Sequence, residues 1–101
     1  MGMGNLQRMA MQMQQEIVRV QEELAAAHVE GSAGGGVVKA VVNGKLEIVS
    51  VTVEPSAVDP ADVEMLQDLV VAAISEAQRS ARELGEAKMA AVTGGMRLPG
   101  M

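Results

Sequence analysis

Between Met3 and Ala27 the apolar residues keep a seven-residue beat, with Met3, Ala10, Ile17 and Leu24 in one register and Leu6, Met13, Val20 and Ala27 in the other. Such a repeat draws one apolar stripe along an α-helix, so the pattern predicts a helix over 3–27. Its seam of Met3, Leu6, Met13, Ile17, Val20 and Leu24 packs either on the chain's own sheet or on a second copy. The seam's flanks hold Gln7, Gln14 and Gln21 on one side and Met9, Glu16 and Glu23 on the other, which leaves few opposite charges to select a partner. From His28 the period changes to two and β-branched residues dominate, over 37–42 and again over 46–53, which reads as strands. Asn43-Gly44 between these runs is the signature of a two-residue type I′ hairpin and would pair Val42 with Lys45. A shorter strand over 28–33, turned back by Gly34-Gly35, completes a three-stranded antiparallel meander within 28–54.

Pro55 ends the last strand, because it has no N–H to give a ladder. Asp59-Pro60-Ala61-Asp62 then reads as a helix start, with Asp59 as N-cap and Pro60 in the first helical position. Apolar recurrence at Val63, Val70, Ala77, Leu84 and Ala91, beside Leu66, Ala73 and Ile74, carries this helix over 60–92. Gly85 is its weak point and Gly94-Gly95 its stop, leaving a tail over 93–101. The expected fold is therefore α+β, one αβββα unit over 1–101, with a three-stranded antiparallel sheet between two long helices.

Composition sharpens this picture. The 101 residues include no Phe, Tyr or Trp and nine Met, so the core is built from small aliphatic side chains and methionine, which bury less area than rings do. Burial against a partner chain is expected to supplement it. The absence of cysteine removes disulfides, thiolate metal sites and cysteine nucleophiles together. Apolar runs fall far short of the ~20 residues that span a bilayer, and no basic-then-apolar leader is present, so a cytoplasmic location is expected. A net charge of −5 supplies no global positive field, and any polyanion site must be a local patch.

The glycine-rich stretch "EGSAGGGVVKAVVNGK" raises the question of a phosphate loop. Its one Gly-Lys pair, Gly44-Lys45, continues into Leu46 rather than Ser or Thr, and a strand rather than a helix follows the glycines. The glycines are a corner of the sheet. His28 is the sole histidine and has no nucleophile at catalytic spacing; of Met9, Met11 and Met13 only the first and last share a helix face, as packing residues would. No catalytic set, metal, cofactor, small-molecule substrate or membrane contact is expected.

The basic residues divide by their neighbours. Arg19, Arg79 and Arg82 each have acids one helical turn away, whereas Arg8, Lys88 and Arg97 have none and lie toward the two ends of the chain. Helices of this length span roughly 37 and 50 Å against about 27 Å for an eight-residue strand, so a helix must overhang the sheet and carry free cations outward.

The whole sequence resembles the YbaB/EbfC family of nucleoid-associated proteins. The resemblance rests on three ordered blocks: "MQQEIVRVQEELAAAHVEGSAGGGVVKAVVNGK", "DPADVEMLQDLVVAAISEAQ" and "KMAAVTGGMRLPGM". It implies a tweezer-like homodimer of αβββα subunits that binds duplex DNA in the nucleoid with limited sequence preference, for nucleoid organisation or gene regulation. It also implies DNA contacts by basic residues on the outer parts of the helices, which here are Arg8, Arg79, Arg82 and Lys88; the charge argument adds Arg97. Two departures are a first helix rich in Gln where relatives carry Lys, and Ser75-Glu76 where Asn followed by Asp is usual. The rival reading is a protein-interaction module that uses the Met-rich first helix.

Overall fold

The two periods of the sequence translate into a helix, a meander and a helix. The structure, a computed structural model, describes residues 3–94. Helix α1 covers Met3–Ala26, strands β1, β2 and β3 cover Val29–Ala33, Val38–Val42 and Ile48–Val53, and helix α2 covers Val63–Gly94. The sheet is antiparallel in the order β1-β2-β3.

Alternation along the strands decides which face is buried. Val38, Ala40 and Val42 of β2 are fully buried and meet Ala73, Ala77 and Ala81 of α2, which recur every four residues and so form one helical stripe. Small residues on both sides let the helix axis come close to the strands. Gly31 of β1 marks the tightest point: a Cβ there would stand 2.3 Å from the Ala77 backbone nitrogen and 2.5 Å from the Ala73 carbonyl oxygen. The opposite sheet face, with Ser32, Lys39 and Thr52 in register, is polar.

The corner between β1 and β2 is a tight left-handed turn over Gly34–Gly36, in which all three glycines have positive φ, at 64, 74 and 98°. Side chains rarely adopt such a backbone, which is why the turn is made of glycine. The β2–β3 connection departs from expectation. Neither Asn43 nor Gly44 has positive φ, β3 begins only at Ile48, and Val42 pairs with Ile48 instead of Lys45. The Asn43 side-chain oxygen accepts from the Lys45 and Glu47 backbone N–H groups, and Leu46 takes the left-handed conformation at φ 71°. A longer loop closed by the Asn side chain thus replaces the type I′ turn. Gly44 serves a different purpose: its N–H donates to the Leu24 carbonyl oxygen at 2.7 Å, an approach that a Cβ would block.

The start of α2 is a second correction. The helix begins at Val63, and Asp62 caps it by accepting from the Met65 N–H at 3.2 Å. Asp59 instead closes the preceding turn by accepting from the Ala61 N–H, so residues 60–62 are outside the helix. Both aspartates compete for the same cap, and the one that reaches the third helical residue wins.

Helix α1 docks by its C-terminal half, where Val20 and Leu24 are buried. Its partners descend along α2 as its residues ascend: Val20 shares a cleft with Ala91 and Val92, Glu23 bonds Lys88, and Leu24 faces Gly85. The helices are therefore antiparallel, and the N-terminal half of α1 runs on past the C-terminal end of α2. The molecule measures 72 × 26 × 16 Å, with a radius of gyration of 19.7 Å. A compact chain of this size would have about 13 Å.

Candidate nucleic-acid interface

A backbone-binding surface needs cations whose charge is not already consumed by neighbouring acids. Arg8 sits on the projecting half of α1, exposed, and no described carboxylate pairs with it. Arg19 is held by Glu16 and Glu23 on its own helix, and the Glu16 hydrogen bond with the attraction of both acids raises its pKa further. Arg79 bonds Glu83 one turn on, at 3.0 Å. Arg82 is exposed and has no described ion-pair partner, although Glu86 follows it by four residues.

Lys88 behaves otherwise than its sequence neighbours imply. Its Nζ donates to Glu23 across the helix crossing at 3.2 Å, which pins α1 to α2. That hydrogen bond is the main cause that holds the Glu23 carboxyl below its ordinary pKa; partial desolvation opposes it, and the charges of Lys88 and Arg19 reinforce it. Of the predicted contacts, then, Arg8 and Arg82 have no described ion-pair partner, while Arg79 stands in an exposed pair with Glu83 and Lys88 in the pair that joins the two helices. Arg97 lies outside the described residues.

The α1 seam is graded along its length. Val20 and Leu24 are buried, Met13 and Ile17 half-buried, and Met3 and Leu6 exposed.

Lys45 was not singled out by sequence reasoning, because a hairpin residue has no helical neighbours to test. Lys45 and Arg82 both line a cleft of about 400 Å³ between α1, the loop and α2. Gln21 and Glu86 share its rim, over a floor that includes Leu24, Gly44 and Gly85. Two cations and one acid give the rim a net positive charge. Among the described residues no group of three or more His, Asp or Glu converges as a metal site would require, and no helix is long and apolar enough to cross a membrane.

Comparison with known proteins places this architecture. The model of the YbaB/EbfC DNA-binding family matches residues 1–96. A nucleoid-associated protein of Moorella thermoacetica is 52% identical, with 99% of each chain covered. Proteins of the same name from Chloroflexus aurantiacus and Pelotomaculum thermopropionicum are 50% and 48% identical, covering 96% and 97% of this chain and 97% and 96% of theirs. Among solved structures, the uncharacterized protein HP0035 from Helicobacter pylori superposes with a TM-score of 0.63 at 23% identity, covering 74% of this chain and 87% of that one. At that identity the likeness is one of fold.

Proposed function

The chain belongs to the YbaB/EbfC DNA-binding family, and from that premise we propose that it binds duplex DNA as a homodimer, with limited sequence preference, in nucleoid organisation or gene regulation. The observation that carries this reading is the family match over residues 1–96. Nothing in it calls for catalysis.

The unfinished sheet supports the homodimer. α2 lies over β1 and β2, so Ile48 and Val51 at the β3 edge stay exposed on the helix side of the sheet, and Val71 of α2 is exposed as well. An apolar edge strand of this kind is a template for another strand. A two-fold axis beside β3 would pair it with its own copy and bury these three residues in an isologous interface.

Exposed arginines at separate places along the helices suit contact with successive phosphates, which fix position without reading sequence. Arg8 and Arg82 are the primary contacts; Arg79, Lys88 and Arg97 are the secondary ones, and Lys45 joins Arg82 at the cleft. If Arg8 and Arg82 of both protomers neutralise four phosphates, log K falls with a slope of about −3.6, and raising salt from 50 to 200 mM weakens binding by roughly 150-fold. Anisotropy of a labelled ~30 bp duplex at these two salts tests this, with Arg8→Glu/Arg82→Glu as the variant. Saturable binding that is lost in the variant, while the dimer persists, is the expected result. No binding at the lower salt by a folded dimer would overturn the reading in favour of a protein-interaction module.

A further inference from the structure

One apolar stripe runs the length of α1, and its burial changes along the way. Val20 and Leu24 are 3% and 5% exposed where α2 covers them, while Leu6 and Met3 are 63% and 74% exposed on the same stripe. The described part of α2 ends at Gly94, level with the middle of α1, and among the described elements only α2 packs extensively on α1. This half also lies beyond Gly94, away from β3, so the interface proposed above does not involve it.

We infer that the projecting half of α1 docks through Met3, Leu6, Ala10, Met13 and Ile17 on the same seam of a second copy, joining one homodimer to the next. This rests on the DNA-binding reading for its setting but has its own observations. The seam continues an interface that the helix already makes with α2, in a seven-residue register, and a heptad seam is complementary to itself. Charge permits the pairing: residues 3–15 carry Arg8 alone, and Gln7 and Gln14 flank the stripe where like charges would repel. Arg8 follows Leu6 by two residues, a rotation of about 200°, so the seam faces a second helix while Arg8 faces outward to phosphate.

Area sets when the contact forms. About two heptads per helix bury well under the ~1,200 Å² of a standard interface, so isolated dimers in dilute solution stay apart. Dimers bound side by side on one duplex, or on two, meet at a far higher effective concentration. The arm thus acts as a link that closes on DNA and makes binding cooperative.

The chain has no cysteine, so Ala10→Cys introduces a single thiol. Ala10 lies near the middle of the seam and meets its counterpart whether the helices pair parallel or antiparallel. The full-length variant is oxidised with and without a duplex long enough for several dimers, and its mass is read by light scattering. The expected result is disulfide-linked assemblies of four or more chains, enriched at least tenfold by DNA and lost when Leu6→Lys is added. Leu6→Gln, which breaks the apolar contact without adding a charge, should likewise remove the linkage yet leave affinity for a ~30 bp duplex within about twofold, which separates the link from phosphate contact. Absence of such assemblies on bound DNA, linkage confined to two chains, or indifference to Leu6→Lys would overturn the inference. If the unmodified protein does not bind the duplex, the DNA reading fails by itself. Oxidation at ~1 mM protein without DNA then tests the seam alone, where four-chain species support it and their absence overturns it.

Discussion

Gly31→Ala tests the packing that holds α2, and with it the cations, in place. The added Cβ would lie 2.3 Å from the Ala77 nitrogen, 2.5 Å from the Ala73 oxygen and 2.8 Å from the Ala77 Cα, all backbone atoms that no rotamer change can move. Ordinary contact begins near 3.4 Å, so the helix must lift about 1 Å from β1, and a gap of that size forfeits a quarter to a half of each dispersion well along the Ala73–Ala77–Ala81 seam. Overpacking costs about 1–3 kcal/mol, and a rigid obstacle belongs at the upper end. Alanine recovers ~0.5–1 kcal/mol by restricting the unfolded chain, leaving a net loss of about 2 kcal/mol. With a urea slope of about 1.5–2 kcal/mol per M, the unfolding midpoint should fall by roughly 1 M. Far-UV circular dichroism is the probe, since the chain has no Tyr or Trp, and protein concentration must be fixed because association would add stability. Gly35→Ala is the control: its Cβ meets open space, but φ is +74°, so it reports strain alone, about 1–2 kcal/mol. If Gly31→Ala unfolds at the wild-type midpoint, α2 does not approach β1 as described.

Gly85→Ala should have the opposite sign: the new methyl meets only the Leu24 Cδ1 at 3.9 Å, so better helix propensity stabilises by about 0.5–1 kcal/mol and raises the melting temperature by several degrees. Lys88→Glu should loosen α1 by facing Glu23 with a like charge, and Glu23→Lys added to it should restore the docking; amide exchange over 14–26 reads both. The depressed pKa of Glu23 stabilises the fold above its ordinary value of 4.5, and this contribution is lost as pH falls through the folded value. Glu23→Gln should therefore flatten the stability profile below about pH 5, which an acid titration followed by circular dichroism will show.

The order of elements was legible because two periods, seven and two, follow one another with glycines at the join. Gly34–Gly36 could be read as a corner from composition alone, since no other residue tolerates three positive φ values in a row. The β2–β3 loop could not be, because Asn43-Gly44 has two uses and tertiary contact chose between them: Gly44 was needed against Leu24 rather than at positive φ. The α2 start failed for a similar reason, with Asp59 and Asp62 both eligible as caps. Of the site, Arg8 was legible as free. Lys88 was not recognisable as paired, because its partner Glu23 is 65 positions away and a search one turn along the same helix cannot see it. Lys45 was invisible for want of any helical neighbour, and became a candidate only because it lines the same cleft as Arg82.

The acidic net charge is reconciled with a polyanionic partner by where the acids lie. All 13 fall between Glu16 and Glu86, and the only charges outside that interval are Arg8, Lys88 and Arg97. Eight residues of helix separate Arg8 from Glu16, about 12 Å along the axis. That exceeds the ~8 Å screening length at physiological salt, so a phosphate brought to the arm would meet Arg8 with little opposition from the body. The overhang of α1 therefore does more than extend reach, because a shorter helix would hold the same arginine inside the field of Glu16 and Glu23. Length and charge placement act together: the acids that keep the body soluble and close the helix crossing are set back, and the projecting arm presents a cation on one face and an apolar seam on the other.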